Sequence, residues 1–235
     1  IHVESLDGAD RAALTEYLLR IGDDRLVLGH RLSEWCGHAP ILEEDIALAN
    51  VALDLLGCAT RALELAGEND GTGRSADNLA YFRDTIEFRN VQLVELPRGD
   101  FAFTIARQFF FDAFSLHLMD ALQHSAHAEL AALAAKSVKE DRYHLRHSSE
   151  WMLKLGDGTD ESHARLQSAV DDLWRFTGEL FYGDDVDARM ARLGVADLPE
   201  TIRPRWTAVV DDVLARATLQ RPADDFFVQG GRTGR

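Results

Sequence analysis

The segment FAFTIARQFFFDAFSLHLMDALQH, residues 101–124, constrains this chain most, because its apolar residues nearly encircle a helix. A helix of that kind is stable only when other elements cover it on all sides. Helical spacing of apolar residues recurs at 41–66 and at 127–155. The first of these segments begins with acidic residues, which suit a helix N-terminus. No stretch alternates apolar and polar residues over the length of a strand. The sequence therefore predicts an all-α fold in which 101–124 is the buried helix.

The other helical patterns fall between clear breaks such as CGHAP, GENDGTGRS, PRGD and GDGT. They predict further helices over 10–33, 76–95, 160–182, 184–193 and 200–219. We see neither a linker between domains nor a short repeat. We therefore expect residues 1–235 to form one domain, a bundle of long antiparallel helices with extra C-terminal helices. Residues 220–235, which end in GGRTGR, are expected to be a flexible tail.

The charge of the chain limits its partners. It has 25 basic and 40 acidic side chains, a formal charge of −15. Such an excess of acids disfavours nucleic acid and anionic membranes as partners. Two cysteines are too few for a disulfide framework, and no apolar run approaches the ~20 residues that span a bilayer. We expect a cytoplasmic protein.

The segment KEDRYHLRH, residues 139–147, has the spacing of a metal site. Asp141 precedes His144 by three residues and Glu140 precedes it by four, so on a helix either pair shares one face. Asp112 stands among four phenylalanines in FFFDAF, and a buried carboxylate needs a partner or a metal. On neighbouring antiparallel helices these residues would meet, as half of a carboxylate-bridged di-iron site.

The second half of such a site is missing from the sequence. It would require an acid on the first helix and Glu-x-x-His on the second, but residues 41–66 contain no histidine. We therefore favour a buried hydrogen-bonded network for Asp112, Asp141 and His144. The alternative is an autonomous iron-binding oxidase.

Three long segments are distinctive enough to compare with known families. They read LVLGHRLSEWCGHAPILEEDIALANVALDLLG (26–57), EFRNVQLVELPRGDFAFTIARQFFFDAF (87–114) and KSVKEDRYHLRHSSEWMLKLGDGTDES (136–162). All three resemble the C subunit of the bacterial phenylacetyl-CoA epoxidases, a family of multicomponent monooxygenases. The resemblance extends over most of the chain. It implies a ferritin-like fold and a non-catalytic role, with no cofactor in this chain.

The resemblance also implies partners and cofactors. A related catalytic A subunit would hold the di-iron centre, and a reductase with FAD and a [2Fe-2S] cluster would supply electrons from NADPH. The lost ligand pair falls at Leu55 and Cys58, and the lost first-helix acid near Leu26. Other epoxidase subunits are expected partners, together with phenylacetyl-CoA, and the isolated chain is expected to form a homodimer.

Two segments are implied to contact the CoA thioester. The first is EFRN, which is Glu87, Phe88, Arg89 and Asn90, and the weaker one is Ala188, Arg189 and Met190. In the first, Arg89 would meet a phosphate and Asn90 an amide. The alternatives are an ordinary solvated helix face and, for the whole chain, a pure assembly scaffold without ligand contact.

Three further predictions concern isolated side chains. Arg61, one turn after Cys58, is a candidate to replace the lost metal charge. Cys36 and His38 are expected to be loop residues, because a zinc site needs three or four ligands. His147 and His163 are expected on solvated helix faces.

Overall fold

The computed structural model describes residues 6–233, and every regular element in that range is helical. The α-helices are α1 (Gly8–Ser33), α2 (Leu42–Asn69), α3 (Ala76–Tyr81), α4 (Gln92–Glu95), α5 (Phe101–Leu122), α6 (Ala128–Gly156), α7 (Asp160–Thr177), α8 (Asp185–Arg192) and α9 (Arg203–Arg216). Short 3-10 turns separate some of them. The all-α prediction is confirmed.

Two long helical hairpins make the centre of a ferritin-like bundle. Helix α1 lies along α2 and α5 lies along α6, while α7 and α9 cover α5 and α8 covers α1. Phe109, Phe110 and Phe111 are completely buried, so the prediction that 101–124 is the central helix is confirmed. Trp174 of α7 and Trp206 of α9 contact the Phe110 ring and seal its outer side.

Side-chain caps fix where several helices begin. Asp7 accepts a hydrogen bond from the backbone N–H of Asp10 (2.7 Å), and Asp100 caps α5 in the same way. Thr159, predicted as an N-cap from the sequence, accepts from the N–H of Ser162 and begins α7.

Helix α2 is the one described helix whose length and composition would allow it to cross a membrane. Only 44% of its most apolar window, of mean hydropathy 1.5, is buried in the bundle. A core helix passes the same test, and the buried face of α2 contacts α1. The outer face is apolar and uncovered, with Leu42, Ile46 and Leu53 exposed.

The prediction of one helix over 76–95 is wrong between residues 82 and 91. Helix α3 ends at Tyr81, a 3-10 turn covers Thr85–Glu87, and the backbone is then extended up to α4. A capping box at Asp84 starts a new turn, and carboxylates of α1 then take the backbone N–H groups that a continued helix would use. Long-range contacts therefore override the local helical pattern here.

The described part of the C-terminal tail lies against the bundle. The Val228 N–H donates to Arg175 O (2.8 Å), and Arg232 Nη2 donates to Asp24 Oδ2 (3.2 Å). Tail flexibility concerns motion and stays a prediction, and residues 234–235 lie outside the described range. Through residue 233, however, the tail has fixed partners on α1 and α7.

Candidate functional site

Asp112, on α5, is the centre of a buried polar cluster. Its Oδ1 accepts a hydrogen bond from Gln108 Nε2 (2.6 Å), and its Oδ2 accepts one from Ser148 Oγ of α6 (2.8 Å). Burial raises the pKa of the Asp112 carboxyl from the ordinary 3.8 to about 7, although these hydrogen bonds and nearby His144 act in the opposite direction. Asp112 therefore changes charge near neutral pH.

Asp141, on α6, is tied to a buried arginine of α1. Its Oδ2 accepts from Ser115 Oγ (2.8 Å), and the same Oγ accepts from Arg25 Nη2 (2.7 Å). Arg25 is 1% exposed, donates to Ile21 O, and lies 5.8 Å from the centre of the Phe111 ring. Burial raises the pKa of Asp141, and the charge of Arg25 opposes that rise. A cation on α1 thus faces the acids at the bundle centre.

His144 connects α6 to α2. Its Nε2 donates to Asp54 Oδ2 (3.0 Å), while its buried Nδ1 is 3.8 Å from Asp141 Oδ1 and has no hydrogen-bond partner among the described residues. One turn further, His147 Nε2 lies 2.8 Å from Glu44 Oε2. The prediction that His147 is solvated is therefore wrong, because it forms a half-buried contact between α6 and α2.

The remaining isolated candidates have local roles. Cys36 and His38 are exposed, and His38 Nδ1 donates to the Cys36 carbonyl (2.9 Å). His163 is half buried and not solvated, since its Nδ1 donates to Gly156 O (2.8 Å). Arg61 does not replace the metal charge, because it lies at the surface and pairs with Glu64, Glu68 and Glu129.

The two lost ligand positions hold packing residues. Leu55 is buried in the apolar core, and the buried Cys58 Sγ accepts a hydrogen bond from Ser137 Oγ (3.3 Å). Burial raises the pKa of the Cys58 thiol. Within residues 6–233, no three His, Cys, Asp or Glu side chains are grouped as metal ligands. A leucine, a protonated thiol and the Arg25 guanidinium do not fit a carboxylate-bridged di-iron centre.

Sequence reasoning missed Arg25 as the central cation. The residue lies next to Leu26, at the position where the first-helix acid was expected. The sequence indicates the burial of Arg25 only by its position in the segment IGDDRLVLG. The other polar residues of that helix look exposed in the sequence, so Arg25 does not stand out. Asp54, an α2 acid with no histidine three residues further along the sequence, finds a histidine partner in His144 across the bundle.

A second candidate site is an open groove of about 610 Å³ beside residues 85–95. Its lining is more apolar than polar and comes from Val27, Thr85, Ile86, Phe88, Asn90, Gln92, Glu95 and Gly231. Gly231 is required by close packing, because a Cβ at that position would lie 2.8 Å from Asn90 O. The tail thus forms one side of the groove.

Three carboxylates fix the backbone of this groove. They accept hydrogen bonds from backbone N–H groups of the groove wall. Arg89 N–H donates to Asp23 (2.8 Å), Val91 N–H donates to Asp24 (2.8 Å), and Gln92 N–H donates to Glu179 (2.7 Å). Glu179 also accepts from the N–H groups of Gly230 (3.1 Å) and Gly231 (2.6 Å). The same carboxylate therefore joins both sides of the groove.

The EFRN side chains divide between lining the groove and holding it. Phe88 and Asn90 line it, and Asn90 Nδ2 donates to Glu95 Oε2 (3.1 Å). Glu87 caps the preceding turn by accepting from the Asp84 N–H (2.7 Å). Residues 88–90 are not helical, so the alternative that Arg89 lies on an ordinary solvated helix face is wrong.

Arg89 is occupied by contacts within the chain. Its Nε lies 3.1 Å from Glu16 Oε1, and its Nη1 donates to the carbonyls of Ile86 (2.8 Å) and Phe88 (3.1 Å). The guanidinium therefore ties the groove wall to α1. Its contact with a phosphate stays a prediction.

The structure does not bring the α8 segment to the groove. Ala188 is exposed, Met190 is completely buried, and Arg189 Nη1 pairs with Asp10 Oδ1 (3.0 Å) at the start of α1. None of these residues lines the groove as the described residues form it. Their contact with a ligand stays a prediction.

Comparison with known proteins gives the chain a family. A family model described as phenylacetic acid catabolic protein matches residues 3–235. The chain is also 49% identical over 221 residues to the C subunit of the 1,2-phenylacetyl-CoA epoxidase of Escherichia coli (strain K12), a match that covers 94% of this chain and 89% of that protein. The chain therefore belongs to the family of phenylacetic acid catabolic proteins.

Proposed function

We propose that this chain is the non-catalytic C subunit of a multicomponent 1,2-phenylacetyl-CoA epoxidase in phenylacetate degradation. The observation that carries the proposal is the 49% identity, over nearly the whole chain, to the protein of that name. The complex would insert one oxygen atom from O2 into the aromatic ring of phenylacetyl-CoA.

The polar cluster supports the non-catalytic role. Arg25 occupies the centre of the bundle with a fixed positive charge, and Leu55 and Cys58 offer no carboxylate. In the proposed complex the related A subunit holds the di-iron centre that activates O2. A reductase with FAD and a [2Fe-2S] cluster passes it electrons from NADPH.

The groove at residues 85–95 supports a part in ligand binding. A volume of about 610 Å³ is within the range of small-molecule sites. Phe88 and Ile86 offer apolar contact to a thioester arm, and the amides of Asn90 and Gln92 offer polar contact. Arg89 supports this site by joining the groove wall to Glu16 of α1. A direct contact with a phosphate of the ligand is its second proposed role.

Co-expression with the neighbouring open reading frames tests the function. We expect this chain to co-purify with a ferritin-like partner, and the complex to oxidise NADPH in the presence of phenylacetyl-CoA. Iron should follow the partner when the two proteins are separated. A chain that is purified alone with stoichiometric iron, or that joins none of the neighbouring gene products, would refute the proposal.

A scaffold without ligand contact is the second candidate, because the Arg89 guanidinium is already occupied. Phe88→Ala separates the two, since Phe88 lines the groove and the change leaves the carboxylate contacts of the backbone in place. Weaker phenylacetyl-CoA binding by the intact complex, measured by calorimetry, supports the ligand role. An unchanged dissociation constant supports the scaffold.

A further inference from the structure

The outer face of α6 concentrates cations that have no ion-pair partner within residues 6–233. Lys136, Lys139, Arg142 and Arg146, here called the basic face, follow at helical spacing and are all exposed. No carboxylate of the described residues comes within 4.0 Å of any of them. Burial raises the pKa of nearby Glu140, and the charge of Lys136 opposes that rise from a longer distance. Four like charges along one helix repel each other and cost stability.

Elsewhere several exposed arginines of the same chain do form ion pairs. Arg61 meets three carboxylates, and Arg192, Arg205 and Arg216 each meet one. With 40 acids against 25 bases, partners are plentiful. Without the four cations of the basic face, the formal charge of −15 would become −15 − 4 = −19. The basic face is therefore a concentration of positive charge on an acidic protein.

An ordered aromatic side chain lies within the basic face. Tyr143 is 43% exposed, its ring stacks at 21° on His147, and the Arg146 guanidinium lies 5.5 Å from its centre. His147 is held in turn by Glu44 of α2. Tyrosine and arginine are enriched in protein interfaces, and a side chain ordered in advance loses little entropy on binding.

An apolar strip on α2 adjoins the basic face. Leu42, Ile46 and Leu53 are 73%, 55% and 65% exposed and share one side of the helix. Asp54 contacts His144 and Glu44 contacts His147, so the part of α2 that carries the strip lies against the part of α6 that carries Tyr143. The strip, Tyr143 and the basic face together form what we call the docking face. It has the composition of an interface, an apolar centre with a charged edge.

We infer that the docking face binds an acidic surface, with an apolar ridge, on another protein of the same complex. The inference rests on the proposed function. Charge complementarity selects the partner, because four unpaired cations attract carboxylates and the apolar strip needs an apolar cover. A protein is favoured over an anionic membrane, because a chain of net charge −15 is repelled by one as a whole.

Association kinetics test this inference. The chain is mixed with the remaining purified proteins of the complex, and the association rate is measured between roughly 0.01 M and 1 M salt, where the screening length falls from about 30 to about 3 Å. The test variant is K136Q/K139Q/R142Q/R146Q. The matched control removes four paired and exposed arginines elsewhere, as R165Q/R192Q/R205Q/R216Q.

We expect the test variant to associate at least about tenfold more slowly than wild type at low salt, and at the wild-type rate at high salt. The control should stay within about twofold of wild type at both salt concentrations. Tyr143→Ala, which keeps the four charges, should instead raise the dissociation rate. Circular dichroism melting confirms that each variant is folded.

Each of the following results would overturn the inference. Equal association rates for wild type and test variant would show that the basic face has no role in association. If the control variant associated as slowly as the test variant, the effect would come from the net charge of the protein and not from this face. Binding of wild type, but not of the test variant, to vesicles of equal parts phosphatidylserine and phosphatidylcholine, with assembly of the complex unchanged, would assign the face to membranes. Loss of CoA binding alone would assign it to an anionic ligand. Assembly without salt dependence defeats only this inference, whereas no assembly with any of the other proteins defeats the proposed function as well.

Discussion

Replacing Asp112 by asparagine should stabilise the protein above neutral pH. The folded-state pKa of Asp112 is about 7 and its ordinary value is 3.8, so the folded chain binds the proton more tightly than the unfolded chain. The stabilisation from this proton is complete below pH 3.8 and is lost as the pH rises through 7. With about 1.36 kcal/mol for each unit of pKa difference, ionised Asp112 costs about 4 kcal/mol at pH 8.5.

Asparagine also fits the existing hydrogen bonds. Ser148 Oγ can donate to the new side-chain oxygen as it now donates to Asp112 Oδ2. Gln108 Oε1 is buried without a partner among the described residues, so a flipped Gln108 amide can accept from the new NH2 group. The variant therefore removes a buried charge without adding an unpaired polar atom, because one amide atom of Gln108 lacks a partner both before and after the change.

Urea unfolding at pH 5.5 and pH 8.5 measures the effect. Wild type should lose stability between the two, whereas Asp112→Asn should gain stability over wild type at pH 8.5 by an amount on the order of 2–4 kcal/mol. Asp112→Ala is the control, and it should be less stable than Asp112→Asn at both pH values because Gln108 loses its acceptor. Asp112→Asn with the pH dependence of wild type, or less stable than wild type at pH 8.5, would refute the reasoning.

Five other changes test the remaining contacts. Asp141→Asn leaves the buried Arg25 guanidinium without its facing carboxylate, a loss of roughly 3–5 kcal/mol, and His144→Ala removes the contact of α6 with half-exposed Asp54. Both variants should therefore melt earlier than wild type, while the assembled fraction keeps its iron and turnover. Arg25→Met removes the central cation and should lower the free energy of unfolding by a similar roughly 3–5 kcal/mol in urea titration. Arg89→Ala should weaken phenylacetyl-CoA binding by the complex about tenfold or more in calorimetry, because the groove wall loses its tie to α1 and a cation. Glu179→Gln should speed amide hydrogen exchange at residues 230–231, which lose a charged acceptor.

The following results would contradict these predictions. Iron loss from a stable Asp141→Asn complex would make Asp141 a ligand. A neutral Arg25→Met would mean that the bundle centre needs no cation. An unchanged dissociation constant for Arg89→Ala would remove Arg89 from the ligand site, and unchanged exchange for Glu179→Gln would show that other contacts hold the tail.

The sequence predicts the bundle well because its signals are local. The apolar residues of 101–124 mark the buried helix, and the matched family confirms the resemblance drawn from the three long segments. The spacing around Asp141 and His144 correctly places them inside the bundle with Asp112. These features depend on residues a few positions apart, where helical periodicity is informative.

The features that the sequence does not reveal depend on contacts between distant residues. Arg25 looks like an ordinary helix-surface cation until α5 and α6 bury it. Residues 88–91 have a helical pattern, but the carboxylates of Asp23 and Asp24 draw their N–H groups into an extended path. Arg89 looks free in the sequence and is paired with Glu16 in the fold. Propensity gives way at these positions to tertiary hydrogen bonds.

The double role of Glu179 has a consequence for the timing of folding. Its carboxylate joins Gln92 to Gly230 and Gly231, which form the two sides of the groove. These two sides are about 140 residues apart in the sequence. At ribosomal speeds of about 5–20 residues per second, residue 231 emerges roughly 7–28 s after residue 92. Until then Glu179 lacks two of its three backbone donors, and the groove lacks a wall. A nascent chain can assemble its helical hairpins early, but the groove, the proposed ligand site, is complete only after residue 231 has emerged.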